Sequence, residues 1–168
     1  MLSVTLFAIA INSLMEHIPT GVQGSLFVDD FAIYCSASTA IEACRNIQIA
    51  INAAKEWADA RGFRFSVQKT KAIRFTRKRK IEVVPTLFLK DSILPYEEEV
   101  KFLGVIFDKK LTFAPHINDL ANRVKSSLNI LKVVSHFDWG ADRKTLLKLY
   151  TTLFEQTRLC KSNLWICM

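Results

Sequence analysis

Residues Phe27-Val28-Asp29-Asp30-Phe31-Ala32-Ile33-Tyr34 set two adjacent carboxylates between two short apolar runs. Each flank is rich in strand-forming residues and Asp is a frequent turn residue, so the stretch predicts a tight hairpin with strands near 25–28 and 31–36. Such a turn holds two acids side by side at the tip of a rigid ribbon. Adjacent like charges repel, and a hard divalent cation relieves that repulsion. Magnesium suits the role, since it takes one or two carboxylates together with substrate phosphates. On these eight residues alone, a merely solvated hairpin tip is the commoner reading.

The chain has 168 residues, half of them hydrophobic, enough for one ordinary domain or a substantial piece of a larger one. Its net charge of +7 points to a polyanionic partner, and that charge is unevenly placed. Residues 1–60 carry two basic side chains against six acidic ones, whereas residues 61–168 carry twenty-one against ten. An acidic tip followed by a basic remainder is the distribution expected of phosphoryl transfer fed by a nucleic-acid groove, although a basic half also serves as an ordinary solvated surface. Cys35, Cys44, Cys160 and Cys167 form no Cys-x-x-Cys pair and have no His at ligand spacing. That excludes a zinc ribbon and argues for a reducing, intracellular setting. The apolar run Leu2 to Leu14 is too short for a bilayer, contains Asn12 and lacks a basic lead-in, so it is expected to be a core helix and no membrane partner is expected.

Periodicity predicts a helix over 3–16 with Leu6, Phe7, Ala10, Ile11 and Leu14 on one face. A second helix starts at a Ser38 or Thr39 cap and runs to about Ala60, with Ile41, Cys44, Ile47, Ile51, Ala54 and Trp57 as its stripe and Gly62 as its stop. Strands are predicted at 63–67, 71–76, 86–89 and 100–107. Pro115 opens a helix in which Ile117, Leu120, Val124, Leu128 and Leu131 share a face, and Asp142 caps a last one. The fold class is α+β, with a helical subdomain from about residue 114.

Several segments, in order, resemble the reverse transcriptase of non-LTR (LINE-type), jockey-like retrotransposons. Leu2-Ser3-Val4-Thr5-Leu6-Phe7 through Ile11-Asn12 is similar to the helix that follows that family's Pro-Gln-Gly-Ser segment. Phe27-Val28-Asp29-Asp30 resembles its aromatic-x-Asp-Asp hairpin, and Ser66-Val67-Gln68-Lys69-Thr70 its Asn-x-x-Lys-Thr motif. Val100-Lys101-Phe102-Leu103-Gly104-Val105 through Asp108 resembles its Lys-Tyr-Leu-Gly-Val-x-x-Asp primer-grip turn, and Leu111 to Ile117 continues in register.

The resemblance implies RNA-directed DNA polymerisation from an RNA template, a DNA primer and deoxynucleoside triphosphates by two magnesium ions, with manganese as an alternative. Asp29 would be the direct metal ligand and Asp30 the supporting acid. Lys69 would stabilise charge or donate a proton near the triphosphate, against the alternative of a solvated turn lysine. Phe102, Leu103 and Gly104 would set the primer terminus, while Arg77, Lys78, Arg79 and Lys80 touch phosphates or form a solvated basic loop. By the same resemblance, residues 1–113 are a partial palm, an antiparallel sheet with helices on one face, and 114–168 a thumb-like helical subdomain. Cytoplasm and nucleus are the expected setting.

The pattern is incomplete. In this family the third carboxylate comes from a strand upstream, as do the fingers and the Pro-Gln-Gly segment. Glu16 and Gly21-Val22-Gln23-Gly24 do not stand in for them, Ser66 occupies an Asn position, and Gln156 to Lys161 departs from the usual continuation. The expectation is a palm and thumb fragment that is inactive without its missing upstream partner segment. The alternatives are a non-catalytic nucleic-acid-binding remnant, or an inert scaffold with an unpaired sheet edge.

Overall fold

The computed structural model describes residues 2–78, 85–136 and 140–158. Its elements run α1 (Leu2–Asn12), a short 3₁₀ helix (Ser13–His17), β1 (Gln23–Phe27), β2 (Asp30–Tyr34), α2 (Ala40–Arg61), β3 (Ala72–Ile73), β4 (Leu87–Leu89), β5 (Ser92–Leu94), β6 (Tyr96–Glu97), β7 (Glu99–Phe102), β8 (Val105–Asp108), α3 (Ala114–Val134) and α4 (Arg143–Arg158). They divide into two compact units, Met1–Val100 and Lys101–Met168. The mixed α+β class agrees with the sequence reading. The strands pair two by two as β1–β2, β3–β6, β4–β5 and β7–β8, and β3–β6 is parallel, so the described residues hold no continuous antiparallel sheet.

In the first unit α2 is the organising element. The Thr39 hydroxyl accepts the Glu42 backbone N–H (3.2 Å), and the Ser38 hydroxyl donates to the Glu42 carboxylate (2.9 Å). These bonds satisfy the first turn of the helix. Gly62, at φ 76°, ends it in the left-handed conformation that glycine adopts without cost. Cys44, Ala50, Ala54, Trp57 and Ala58 are buried along it, whereas Ile41 is exposed. Small residues at 50, 54 and 58 let neighbouring elements approach closely. The predicted stripe misses Ala50 and Ala58 because it follows the larger side chains.

Two clusters form the core. Trp57, Ala54 and Ala58 meet Ile11 and the fully covered Leu14, with Phe7, Leu26, Phe31, Phe63 and Phe65 against them. Cys44 meets Leu87, Leu89 and Leu94, with Ile47, Ile51, Phe65 and Val67 alongside. In α1 the inward face is therefore Phe7 and Ile11, while Leu6, predicted inward, is exposed. Trp57 Nε1–H donates to Ser13 Oγ (3.1 Å), which donates onward to the Ala10 carbonyl (3.2 Å), so the one polar atom of the buried indole is satisfied. The strand predicted at 63–67 does not form. Phe63 stacks on Trp57 (5.2 Å) and Phe65 on Phe31 (6.0 Å), so this segment is held by its rings. Of the predicted 71–76 strand only β3 pairs.

The Gln48 carboxamide donates to the Phe88 carbonyl (2.9 Å) and accepts the Phe88 N–H (2.8 Å), taking the place of a neighbouring strand along β4. Tyr96 Oη lies 3.3 Å from Cys44 Sγ and donates to the Pro85 carbonyl (3.0 Å). Burial, with Cys44 beside it, pushes that phenol well above its ordinary pKa.

In the second unit the predicted 100–107 strand is a hairpin. Leu103 (φ 47°) and Gly104 (φ 83°) form the two-residue turn between β7 and β8. Positive φ at both central positions is the type I′ requirement, and it explains Gly104. The covered face of α3 runs through His116, Leu120, Val124, Ser127 and Leu131, and Ile117 and Leu128, predicted inward, are exposed. Asp142 caps α4 through the Lys144 N–H (3.1 Å) and the Thr145 hydroxyl. Among the described residues no helix is long and apolar enough to cross a membrane.

Leu14 is completely covered in the Trp57 cluster. Replacing it with Ala is expected to lower unfolding free energy by about 2–5 kcal/mol, the range for truncating a buried leucine. The shift in urea midpoint measures it, and a change under 1 kcal/mol would mean that this cluster is not the core.

Candidate active site

The ladder from Gln23↔Tyr34 to Phe27↔Asp30 leaves Val28-Asp29 as the two-residue turn. The two acids therefore differ in kind: Asp29 sits in the turn, and Asp30 is the first residue of β2. Cross-strand partners share a face, and that face alternates along each strand. Gly24, Leu26, Phe31 and Ile33 lie on one side, where Leu26 and Phe31 meet the core. Gln23, Ser25, Phe27, Asp30, Ala32 and Tyr34 share the other. The small Ser25–Ala32 pair lies just below Asp30, and the exposed rings of Phe27 and Tyr34 stand at its ends.

The seated hairpin comes close to Met15 at Gly24. A Cβ there would lie 2.9 Å from Met15 Cε and 3.1 Å from Met15 Sδ. Glycine lets the 3₁₀ helix lay Met15 across β1, so Gly24 serves packing, and the Gln23-Gly24 dipeptide needs no catalytic explanation.

The turn itself is strained. Val28 has φ 55°, while Asp29 does not share a positive φ. Positive φ at the first central position suits the twist of a tight hairpin, but glycine is the usual occupant. A β-branched residue there costs on the order of 1–3 kcal/mol. Asp29 and Asp30 are both exposed, and neither carboxylate has a hydrogen-bond or ion-pair partner among the described residues. Their oxygens are thus open to solvent, those of Asp30 on the side away from the core. Two carboxylates with free oxygens above small side chains are the right donors for a hard divalent cation. Among the described residues no three His, Cys, Asp or Glu side chains cluster to complete a metal cage.

Lys69 is exposed on a turn built around the Ser66 carbonyl, which accepts the Lys69 N–H (3.3 Å), the Thr70 N–H (3.0 Å) and the Thr70 hydroxyl (2.7 Å). The approach to that turn is pinned to β2 by the stacked Phe31 and Phe65 rings. Beyond it Lys71 pairs with Glu97 (3.3 Å). Arg77 and Lys78 are exposed outside regular structure, and Arg79 and Lys80 lie outside the described residues. Phe102, Leu103 and Gly104 belong to the second unit, where Leu103 is exposed at the tip of its own turn.

A residue that sequence reasoning treated only as the end of a motif has a larger part. Asp108 is 8% exposed, and its carboxylate accepts four hydrogen bonds. Oδ1 takes the Phe113 N–H (2.7 Å). Oδ2 takes the Lys110 N–H (3.2 Å), the Thr112 N–H (3.1 Å) and the Thr112 hydroxyl (3.0 Å). Burial pushes this carboxyl's pKa up, but the bonds from Thr112, Phe113 and Lys110 outweigh it and hold the pKa below the usual value. The available signal was an Asp ending a strand with Thr four residues on and Pro opening the next helix.

The reverse transcriptase (RNA-dependent DNA polymerase) family matches residues 1–107. Among curated proteins, the chain is 28% identical over 123 residues to a probable RNA-directed DNA polymerase from transposon BS of Drosophila melanogaster, covering 73% of this chain and 13% of the relative. It is 29% identical over 102 residues to the RNA-directed DNA polymerase from mobile element jockey of Drosophila funebris, covering 61% and 11%. A retrovirus-related Pol polyprotein from a type-1 retrotransposable element of Nasonia vitripennis is 28% identical over 155 residues, covering 89% and 38%. The chain thus spans well under half the length of each of these relatives. No solved structure matches it significantly.

The strain at Val28 has a measurable consequence. Val28→Gly is expected to raise unfolding free energy by about 1 kcal/mol, the relief of a left-handed β-branched residue less the added flexibility of glycine. Urea denaturation reads the change; an unchanged or lower midpoint would show that Val28 stores no strain.

Proposed function

The chain belongs to the reverse transcriptase (RNA-dependent DNA polymerase) family, and from that premise we propose that it carries the metal-binding hairpin of an RNA-directed DNA polymerase of a non-LTR retrotransposon. Its reaction joins deoxynucleoside triphosphates to a DNA primer on an RNA template. The observation that supports this most is the Asp29–Asp30 pair, both carboxylates exposed and unengaged, Asp29 in the turn and Asp30 on the face of the hairpin away from the core.

Asp29 at the turn holds the cation and Asp30 supports it from the first position of β2. Magnesium is the ion of choice and manganese an alternative, on the hardness of the oxygen donors. When bound, such ions lower the pKa of the primer 3′-hydroxyl and offset charge on the reacting phosphate. The protein's part is positional: Leu26 and Phe31, packed against the α2 cluster, seat the hairpin that carries the two carboxylates. The free ammonium of Lys69 carries charge toward a triphosphate. The Leu103–Gly104 turn contacts the primer end, with Phe102 behind it, and Arg77 and Lys78 contact phosphates. On this reading residues 1–113 are part of a palm and 114–168 a thumb, working in the cytoplasm and nucleus.

A second reading has one observation in its favour. With no three-ligand cluster among the described residues, the chain by itself would hold nucleic acid without catalysis. Residues 61–168, with twenty-one basic side chains against ten acidic, would supply the binding, falling steeply with salt.

Primer extension on an RNA template separates the two. The 168-residue chain alone is expected to incorporate no nucleotide, because the family resemblance implies a third carboxylate from an upstream strand and no three-ligand cluster forms among the described residues. Grafted in place of the matching segment of the jockey polymerase, it is expected to support synthesis that Asp29→Ala lowers by about three orders of magnitude. Asp29-dependent synthesis by the chain alone would refute the first expectation. A graft inactive with Asp29 intact, yet still binding hybrid, would favour the second reading.

A further inference from the structure

Resting on that reading, we propose that Asp108 and Thr112 are positioning residues that lock the Leu103–Gly104 turn to helix α3, so that a primer end at the turn is presented in one orientation. The two features lie in one compact unit and are separated only by β8 and the elbow 108–113. An elbow that merely connected strand to helix would be served by a few small polar residues, which leave the joined elements free to swing.

This elbow is built otherwise. Leu111 (φ 54°) and Phe113 (φ 57°) are both non-glycine residues in the left-handed region, a conformation that persists only where the surroundings enforce it. The enforcement is the Asp108 side chain, which gathers the N–H groups of residues 110, 112 and 113 onto its two oxygens, while its own carbonyl accepts the Leu111 N–H (2.9 Å).

Thr112 passes this grip to the helix. Phe113, at the N-cap position of α3, offers no side-chain acceptor, and Pro115 removes one N–H from the first turn. The Thr112 hydroxyl accepts the Ala114 N–H (3.3 Å) while donating its own proton to Asp108 Oδ2 (3.0 Å). Behind it the Phe107 and Phe113 rings meet edge to face at 5.9 Å, tying the end of β8 to the N-cap of α3. A buried carboxylate is costly unless fully hydrogen-bonded, and here it is. Strand, elbow and helix therefore move as one body, and the angle between the turn and α3 is set at Asp108.

The test uses the intact chain and two probes: a fluorescent RNA–DNA hybrid with a recessed DNA 3′ end, and a blunt hybrid of equal length. The wild-type chain is expected to prefer the recessed end. Thr112→Val keeps the volume of the side chain and loses both hydroxyl bonds. It is expected to reduce that preference about tenfold, the scale of one charge-assisted hydrogen bond, with blunt-hybrid affinity unchanged. Thr112→Ser, which keeps the hydroxyl, is expected to restore it. Hydrogen exchange should quicken at Phe113, Ala114 and His116 in Thr112→Val and stay unchanged through residues 5–78. Unaltered exchange at the elbow would overturn the lock itself. Quickened exchange with the preference intact would overturn its positioning role, as would a wild-type chain that binds both hybrids alike. A wild-type chain that binds neither hybrid would instead defeat the polymerase reading, and this proposal with it.

Discussion

The contact between the inner face of the β1–β2 hairpin and the α2 cluster carries the rest of the first unit. A two-stranded hairpin is marginal on its own, so Asp29 and Asp30 have a defined direction only because Leu26 and Phe31 are seated against Trp57, Leu14 and their neighbours. Gly24 permits the seating, since Met15 lies where a side chain would otherwise be. The same contact reaches further: Phe31 stacks on Phe65, and the chain from Phe65 leads into the turn that bears Lys69. One apolar face thus orients two acids and anchors the approach to a lysine.

Two kinds of aspartate show what the fold does with charge. Asp108 is buried and its carboxylate is filled with protein donors, so its energy is already committed to shaping the elbow. Asp29 and Asp30 are exposed and unengaged, next to a valine in a backbone conformation it does not favour. Exposed carboxylates without protein partners and a left-handed valine thus fall on one short turn. The reverse transcriptase family match, over residues 1–107, includes that turn.

Much of this was legible before any coordinates. The Thr39 cap, the Gly62 stop, the hairpin around Asp29 and the Asp142 cap are local signals, and each formed, the hairpin with its turn one residue earlier than predicted, at Val28-Asp29. Motif order alone indicated the family, which the comparisons bear out. The errors arose wherever a long-range partner decides. Segment 63–67 looks like a strand because its aromatic residues suit one, yet Phe63 and Phe65 find rings instead of a neighbouring ladder. Leu6, Ile117 and Leu128 satisfied helical spacing and still face outward, since spacing gives a face and not what lies opposite it. The split of the predicted 100–107 strand is a local miss instead, since Leu103 and Gly104 both take positive φ and turn the chain.

By itself, the order of residues determined the helices, the Thr39 and Asp142 caps, the acidic hairpin and the family, because these depend on neighbours a few positions apart. Tertiary structure alone decided that Asp30 faces away from the core and that Gln48 serves as a strand for Phe88. The physical reason is one of range. Backbone torsions and capping bonds are settled within a turn or two of chain, whereas the direction of a side chain depends on which distant surface its strand or helix is pressed against.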